Sequence, residues 1–244
     1  MTPQDRERLE SLLASRKAAF ATQLQQLARY KTDFARFGGE PPAPRFEQDW
    51  FPRLDAAIAY GMVRGRAPAR IVEIGSGHST RIMARAIADG DLAANLTAID
   101  PKPRAPLAGL PVRHLPARLQ DASAAPIRAL APGDFLFIDS SHILRPGSDV
   151  ELLFNSVLPA LPGGTIVHIH DVFLPDGYPA SWAWRNYNEQ QALAPPLLGG
   201  GWAPLFASHY VLTRMAPEFS ASIAAALPLP AAAIESSLWM EKVR

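Results

Sequence analysis

Residues 70–81 read RIVEIGSGHSTR, and this stretch decides the fold class of the 244-residue chain. It opens with a run of β-branched residues, which is typical of a strand buried in a parallel sheet. Gly75 and Gly77 follow, and a residue without a Cβ allows backbone angles and close contacts that other residues do not. The apolar residues after them recur at helical spacing, which predicts a helix with Ser79 or Thr80 as its N-cap. The stretch therefore predicts a strand, a tight turn and a helix, with a ligand bound near the helix N-terminus.

Five further stretches have the composition of β-strands, and helical patterns lie between most of them. They are LTAID (96–100), VRHLPARLQD (112–121), DFLFIDSSH (134–142), TIVHIHDVF (165–173) and SSLWMEKV (236–243). Strands that alternate with helices predict an α/β fold with a doubly wound, mostly parallel sheet. Ligands bind at the carboxyl ends of the strands in such sheets. The titratable residues within or just after those ends are Glu73, Asp100, Asp139, His142, His170 and Asp171.

The two ends of the chain depart from this alternation. Residues 1–66 predict an N-terminal helical appendage and linker, and residues 67–244 predict the main domain. Leucines and phenylalanines recur at near-helical intervals over residues 9–34, which is typical of one long amphipathic helix or two shorter ones. Their apolar face is expected to pack on the main domain or on a second subunit, with a coiled-coil partner as the alternative. In the C-terminal part, residues 185–195 and residues 199–208 are interpreted as helical.

The composition excludes several classes of protein. Hydrophobic residues make up 48% of the chain, charged residues 19%, and the net charge is +1, so neither disorder nor a nucleic-acid-binding surface is indicated. Because the chain has no cysteine, it forms no disulfide, and any metal must be bound by oxygen or imidazole. No apolar run approaches the ~20 residues of a membrane span, and the first residues lack the apolar core of a signal peptide. We therefore expect a cytoplasmic protein whose partners are small molecules, with no nucleic acid and no membrane.

Five motifs together resemble class I S-adenosylmethionine-dependent methyltransferases. They are VEIGSGHSTR (72–81), LTAIDP (96–101), FLFIDSSH (135–142), GGTIVHIHDVF (163–173) and SSLWMEKV (236–243). The resemblance covers residues 71–243 and implies a Rossmann-like, seven-stranded sheet whose terminal strand runs antiparallel between the fifth and sixth. It also implies S-adenosylmethionine as the cofactor. A dinucleotide cofactor is disfavoured because Thr80 stands where its fingerprint needs a third glycine.

The same resemblance implies roles for individual residues in binding the cofactor. The glycine-rich turn and its neighbours would hold the methionyl part, and the residues concerned are Glu73, Gly75, Ser76, Gly77, Ser79 and Thr80. Asp100 would bind the ribose hydroxyls, and a carboxylate that accepts two hydrogen bonds suits a sugar diol. Gln120 or Asp121 would contact the adenine. Asp139, at the end of the fourth strand, completes the set of candidates.

A more specific resemblance is to the metal-dependent O-methyltransferases that act on catechols and macrolide sugars. It implies that Asp139, His170 and Asp171 bind a divalent cation, either Mg²⁺ or, because a histidine replaces the usual acid, a borderline transition metal. His142 stands where the catechol enzymes have their catalytic lysine. The expected reaction is methylation of a small-molecule hydroxyl, in which the metal stabilises the deprotonated oxygen and His142 or His170 is the base.

Several alternatives remain open at this point. One is a metal-independent methyltransferase in which His142 or His170 acts alone as the base, and another is a non-catalytic cofactor-binding or scaffold protein of the same fold. His168 shares a strand face with His170, so at least one of the two is expected to be structural. The aromatic residues of the loop 175–188 either pack the rim of the domain or line an acceptor pocket. A homo-oligomer through the N-terminal helices is also expected.

Overall fold

The computed structural model describes residues 1–243, and a seven-stranded mixed β-sheet lies at its centre. The strands are Arg70–Ile74 (β1), Asn95–Ile99 (β2), Val112–Leu115 (β3), Phe135–Ile138 (β4), Ile166–Ile169 (β5), Trp202–Ala207 (β6) and Leu238–Lys242 (β7). Their order across the sheet is β3-β2-β1-β4-β5-β7-β6. β1 to β5 are parallel, and β7 is antiparallel to both of its neighbours. The predicted doubly wound sheet, with its terminal strand between the fifth and sixth, is confirmed.

Helices surround this sheet and connect its strands. The α-helices are Pro3–Ala14 (α1), Lys17–Gln26 (α2), Lys31–Phe34 (α3), Arg53–Arg66 (α4), His78–Asp89 (α5), Ala125–Arg128 (α6), Asp149–Leu152 (α7), Leu158–Ala160 (α8), Ala194–Leu198 (α9), Ser208–Arg214 (α10) and Ala216–Ser220 (α11). Short 3₁₀ segments occupy Leu27–Tyr30, Ala180–Arg185, Glu189–Ala192 and Ile223–Ala226, and a π-helical turn at Leu153–Val157 joins α7 to α8. Over residues 1–243, no helix combines the length and the apolar character that a bilayer crossing needs.

The N-terminal helices pack on the sheet of their own chain. Leu9, Leu13 and Phe20 are fully buried in the same hydrophobic core as the strands. The ring of Phe20 lies edge-on to Phe206 of β6 at 5.7 Å and to Tyr210 of α10 at 6.2 Å. The apolar face that was expected to pack on the main domain or a second subunit is therefore covered within the chain. Residues 1–66 and the rest of the chain share one core.

The C-terminal part differs from the helical interpretation of its sequence. Residues 199–208 contain strand β6 instead of a helix, so that prediction is wrong. β6 lies at the edge of the sheet, where its backbone pairs with β7 from Trp202 opposite Lys242 onward. Pro204 would interrupt a helix, but an edge strand tolerates a residue without an N–H. In residues 185–195 the predicted helix is replaced by the 3₁₀ segment Glu189–Ala192 and the start of α9.

Candidate active site

The register of the sheet brings three strand ends to the same level. Ile74 at the end of β1 pairs with Ile138 of β4, which in turn pairs with Ile169 of β5. The residues that follow these positions are Gly75, Asp139 and His170. The hydrogen-bond ladder continues through them, because Asp139 N donates to Ile74 O at 2.9 Å and His170 N donates to Ile138 O at 2.9 Å. Residues that are far apart in sequence thus become neighbours at the edge where such sheets bind ligands.

A cavity of about 640 Å³ opens at the ends of β1, β2 and β4. Of the residues predicted to bind the cofactor, five line it: Gly75, Ser76, Asp100, Gln120 and Asp139. The carboxylate of Asp100 accepts hydrogen bonds from the Ser76 hydroxyl at 2.8 Å and from Lys102 N at 2.7 Å. These contacts fix the carboxylate at the carboxyl end of β2, and its remaining lone pairs can accept hydrogen bonds from a ligand. The cavity therefore has the polar groups that an adenosyl cofactor requires.

Glu73 lies beneath the turn rather than in this cavity. Its side chain is fully buried, and its two oxygens accept hydrogen bonds from the hydroxyls of Ser79 at 2.5 Å and Thr80 at 2.6 Å. Burial raises the pKa of Glu73 to about 8, although the hydrogen bonds from Ser79 and Thr80 act to lower it. The side chains of Glu73, Ser79 and Thr80, which were predicted to bind the cofactor, therefore hold the first turn of α5 against β1, and none of the three lines the cavity. The N-cap of α5 is Gly77, not Ser79 or Thr80.

Gly77 and Asp121 do not line this cavity either. A Cβ on Gly77 would meet the side chain of Arg104 at 3.3 Å, so this glycine provides room for the neighbouring loop. Asp121 is exposed and forms an ion pair with Arg118 at 2.7 Å. Gln120 lines the cavity, and its amide donates to Gly147 O at 3.0 Å. Of the two candidates for contact with an adenine, the structure therefore favours Gln120 over Asp121.

Asp139, His142, His170 and Asp171 form a cluster of alternating acids and imidazoles, here called the His-Asp cluster. His142 Nε2 lies 3.2 Å from Asp139 Oδ1 and 3.4 Å from Asp171 Oδ2. His170 Nδ1 lies 3.6 Å from Asp139 Oδ1 and 3.5 Å from Asp171 Oδ1. Each carboxylate thus faces both imidazoles. His142 and Asp171 have φ angles of 58° and 57°, a conformation that is uncommon outside glycine and is found where a site constrains the backbone.

Two buried carboxylates that the sequence reasoning missed complete the surroundings of the histidines. Glu189 Oε2 lies 2.8 Å from His142 Nδ1, and Asp55 Oδ2 lies 3.3 Å from His170 Nε2. Asp55 also accepts hydrogen bonds from the backbone N–H groups of Ser236 at 2.9 Å and Ser237 at 3.0 Å. The signal for Asp55 was an acid inside the otherwise apolar run LDAAIAY (54–60). Nothing in the sequence distinguishes Glu189 from a surface residue.

The carboxylates control the protonation of the cluster. Burial alone would lower the pKa of His142, but the charge of Asp171 and the hydrogen bonds with Asp139 and Glu189 raise it well above the usual range. For His170, the charges of Asp171 and Asp139 outweigh burial in the same way and raise the pKa well above the usual range. Burial alone would raise the pKa of Asp139, but His170 and His142 hold it well below the usual range. These directions favour protonated imidazoles and an ionised Asp139 carboxylate, so His142 and His170 face Asp139 as ion pairs.

The predicted divalent cation does not fit this donor set. Over residues 1–243, no group of three or more His, Asp or Glu side chains is arranged to hold a metal ion. An imidazole ligates a metal through a deprotonated nitrogen, yet both ring nitrogens of His142 and of His170 face carboxylate oxygens. The prediction of a metal centre at Asp139, His170 and Asp171 is therefore not supported by the structure.

His168 has the structural role that was expected of one strand histidine. It is fully buried, stacks on Phe137 with ring centroids 3.7 Å apart, and its Nε2 lies 2.9 Å from the Ser237 hydroxyl. Burial, reinforced by the charge of His170, holds the pKa of His168 well below the usual range, so its ring is neutral. This histidine supports the sheet beneath the cluster and has no direct access to a ligand.

A second, smaller cavity of about 100 Å³ lies on the other side of the cluster. All four members of the His-Asp cluster line it, together with Asp49, Trp50, Arg104, Trp182, Arg185, Tyr187, Ala232 and Ile234. From the aromatic loop, Trp182 and Tyr187 contribute to the wall, and the Tyr187 ring lies 4.7 Å from that of His142. Trp184 points to solvent, with 75% of its surface exposed. Asp139 lines both cavities, so the two meet at its side chain.

Comparisons with known proteins agree with this arrangement. Residues 72–172 match a family model described as a methyltransferase domain. This segment runs from β1 to just past β5 and includes Gly75, Asp100 and the whole His-Asp cluster. No curated protein sequence matches the chain.

Three solved structures show a similar chain course. The methyltransferase PaMTH1 of Podospora anserina, bound to SAH, is 17% identical over 95% of this chain and 96% of its own, with a TM-score of 0.45. The O-methyltransferase TomG of Streptomyces achromogenes, involved in tomaymycin synthesis and bound to SAM, is 16% identical over 100% of both chains, with a TM-score of 0.47. An O-methyltransferase of Bacillus cereus bound to SAH is 16% identical over 90% of both chains, with a TM-score of 0.41. Similarity at this level carries no information on the substrate.

Proposed function

We propose that this chain, whose residues 72–172 match a methyltransferase domain, is an S-adenosylmethionine-dependent methyltransferase that methylates a hydroxyl oxygen of a small molecule, with Asp139 as the proton acceptor. The observation that carries this proposal is the position of Asp139, which lines both the larger cavity at the glycine turn and the smaller cavity beside it. A group at this junction can contact a donor on one side and an acceptor on the other.

The larger cavity is the proposed cofactor site. Its polar groups suit the parts of the cofactor in order: the turn at Gly75 and Ser76 for the methionyl tail, Asp100 for the ribose hydroxyls and Gln120 for the adenine. The Asp100 carboxylate is already oriented by Ser76 and Lys102, so it loses little freedom when it accepts from a diol. Bound S-adenosylmethionine supplies an electrophilic methyl group on a sulfonium, which is transferred in line to the acceptor oxygen.

Asp139 suits the role of proton acceptor better than either histidine. Its side chain is 28% exposed, whereas those of His142 and His170 are 4% and 5% exposed. The neighbouring carboxylates keep both imidazoles protonated, so neither can accept another proton, while Asp139 is held ionised. The low pKa of Asp139 is no obstacle, because a hydroxyl proton becomes strongly acidic as its oxygen forms a bond to the methyl carbon. The expected roles of His142 and His170 as bases thus become roles in orienting Asp139.

Among the alternatives that the sequence left open, this mechanism is closest to the metal-independent methyltransferase. No step passes through a metal, because the side chains at Asp139, His170 and Asp171 face one another as ion pairs. A non-catalytic scaffold would not need an ionised, partly exposed carboxylate between two cavities. The acceptor is small, because the second cavity is narrow and is closed on one side by Trp182 and Tyr187.

The test is transfer of a labelled methyl group from S-adenosylmethionine to a panel of small hydroxyl compounds. With the best acceptor, Asp139→Asn should lower turnover by about 10²–10⁴-fold, the range for loss of a general base, while the affinity for S-adenosylhomocysteine stays within a few-fold. Asp121→Asn is the matched control and should behave as the wild type, because Asp121 lies on the surface.

Two results would overturn the proposal. Cofactor binding without any methylated product would favour a scaffold protein. Retention of turnover in Asp139→Asn, combined with its loss in His142→Gln, would make His142 the base.

A further inference from the structure

Two arginines line the proposed acceptor cavity, and each rests on a tryptophan. The guanidinium carbon of Arg185 lies 4.1 Å from the ring centroid of Trp182, and that of Arg104 lies 4.1 Å from the ring centroid of Trp50. Stacking on an indole orients the flat face of a guanidinium and leaves its N–H edge available for hydrogen bonds. The stacking contacts therefore orient both guanidiniums at the cavity, and their N–H groups remain able to donate hydrogen bonds to a ligand.

Neither guanidinium has a carboxylate partner among residues 1–243. By contrast, Arg53 is paired with Glu235 at 2.9 Å and Arg214 with Asp176 at 2.6 Å. Arg185 has one side-chain hydrogen bond, from Nη1 to the Tyr187 hydroxyl at 3.3 Å, and its Nε is buried without a partner in the part of the chain that the structure describes. A buried donor that is left unpaired destabilises a protein unless a ligand satisfies it.

The charged residues that line the cavity give a further indication of the kind of ligand. In the His-Asp cluster, two carboxylates face two imidazoles and are matched by them. The other charged residues that line the cavity are Arg104, Arg185 and Asp49. Asp49 forms no ion pair with either arginine within residues 1–243, so two guanidiniums stand against a single carboxylate. Glu189 and Asp55 lie behind the cluster, against the outer nitrogens of the two imidazoles, so the local charge favours an anion only on the side of the cavity that Arg104 and Arg185 form.

We propose that the acceptor carries a carboxylate or phosphate group, held between the guanidiniums of Arg104 and Arg185. This inference rests on the proposed function, since it concerns the same cavity. A carboxylate or phosphate matches the fork of N–H donors on a guanidinium and can accept two parallel hydrogen bonds from it. The flat faces of Trp182 and Tyr187 nearby suit an aromatic or other planar body. The acceptor hydroxyl would then lie at Asp139, with the anionic group at the two guanidiniums.

Arg104 needs a separate test because it also lines the cofactor cavity. It could bind the carboxylate of the methionyl tail instead of the acceptor. Arg185 lines only the acceptor cavity. The two roles of Arg104 differ in a measurable way. If Arg104 contacts the cofactor, its replacement weakens the binding of S-adenosylhomocysteine in the absence of an acceptor. If Arg104 contacts only the acceptor, its replacement leaves that binding unchanged.

The experiment measures the binding of three matched probes to protein saturated with S-adenosylhomocysteine. The probes are benzoate, phenyl phosphate and neutral benzamide, and the signal is tryptophan fluorescence, since Trp182 and Trp50 lie against the two arginines. Benzoate or phenyl phosphate should bind at least about tenfold more tightly than benzamide, and comparison of the two anions shows which group the site prefers. Arg185→Gln and Arg104→Gln should each remove most of this preference. The matched control, Arg128→Gln on the exposed surface of α6, should retain it.

Three outcomes would overturn the inference: equal affinities for the three probes, no binding of either anion in the millimolar range, or a preference that survives in Arg185→Gln. A loss of S-adenosylhomocysteine affinity in Arg104→Gln with an unchanged anion preference would also overturn the two-arginine site, because Arg104 would then belong to the cofactor. Failure of the proposed function is a separate result, since it appears as absent methyl transfer while anion binding remains.

Discussion

Replacement of Gly75 by alanine should damage both the fold and the cofactor site, for a reason visible in the backbone. Gly75 has a φ of +84°, and a Cβ at this position would lie 1.9 Å from the carbonyl oxygen of Asp139 and 2.9 Å from its carbonyl carbon. Gly133 has nearly the same φ, +87°, but a Cβ there would have no neighbour within 4 Å. The pair of variants Gly75→Ala and Gly133→Ala therefore separates backbone strain from steric overlap.

The expected magnitudes follow from these contacts. A left-handed conformation costs a residue with a Cβ roughly 1–2 kcal/mol, and this term is common to both variants. At Gly75 the Cβ would also have to move from 1.9 Å to an ordinary carbon–oxygen contact of about 3.3 Å, so the ends of β1 and β4 must separate by more than an ångström. Overpacking of this kind costs about 1–3 kcal/mol, and the hydrogen bond from Asp139 N to Ile74 O would lose about 1 kcal/mol more. Gly75→Ala should thus lower the free energy of unfolding by about 2–4 kcal/mol beyond Gly133→Ala.

Urea unfolding monitored by circular dichroism measures the stability difference, and calorimetric titration with S-adenosylhomocysteine measures the effect on the site. Gly133→Ala should bind as the wild type, whereas Gly75→Ala should bind much more weakly because the turn and Asp139 are displaced together. Equal stabilities of the two variants, or wild-type affinity in Gly75→Ala, would show that β1 and β4 do not approach as closely as described.

Three further predictions concern the buried acid, the cofactor site and the metal. Folded protein retains the proton on Glu73 up to about pH 8, whereas the unfolded chain loses it near 4.5, so stability should fall by up to about 5 kcal/mol as pH rises through that window. Urea unfolding at a series of pH values should show this slope in the wild type and a flatter one in Glu73→Gln; identical slopes would contradict the burial of a protonated carboxyl. Asp100→Ala should weaken S-adenosylhomocysteine binding by about 10²-fold or more in calorimetry, with Asp121→Ala unchanged, and equal effects would remove Asp100 from the site. Exhaustive dialysis against a chelator should leave methyl transfer unchanged, whereas a loss that a divalent cation restores would reinstate the metal centre.

The fold was largely predictable because its signals are local. β2, β4 and β5 are short, mostly apolar runs that are each followed by a polar residue, and the run at residues 70–74 is followed by a turn with two glycines. β6 could not be recognised in this way, because its pairing with β7 depends on a strand more than 30 residues away. Pro204 was a usable signal against a helix there. The bounds of the C-terminal helices were equally hard to predict, because tertiary packing decides them.

The site was predictable only in part, because a sequence shows where a residue lies but not what its side chain faces. The convergence of Asp139, His142, His170 and Asp171 follows from the level ends of β4 and β5. The orientation of Glu73 does not follow, since it depends on two hydroxyls in the first turn of α5. Arg104 carried no signal, and Arg185 stood out only as a member of the loop 175–188 that could line an acceptor pocket, because the role proposed for both depends on the absence of partners in the described residues. These roles can be predicted only when the contacts between distant parts of the chain are known.

Whether a divalent cation is needed at these residues depends on the charge of His142 and His170. In the metal-dependent enzymes that the sequence resembles, acids and an amide follow the fifth strand, whereas this chain has His170 there and His142 after the fourth. Two imidazolium ions carry the same total charge as one divalent cation, so they can balance Asp139 and Asp171 in its place. Glu189 and Asp55 lie against the outer nitrogens of the two rings and stabilise that charged form. The same pairing leaves Asp139 ionised at the junction of the two cavities, which is the state that a proton acceptor for an oxygen being methylated requires.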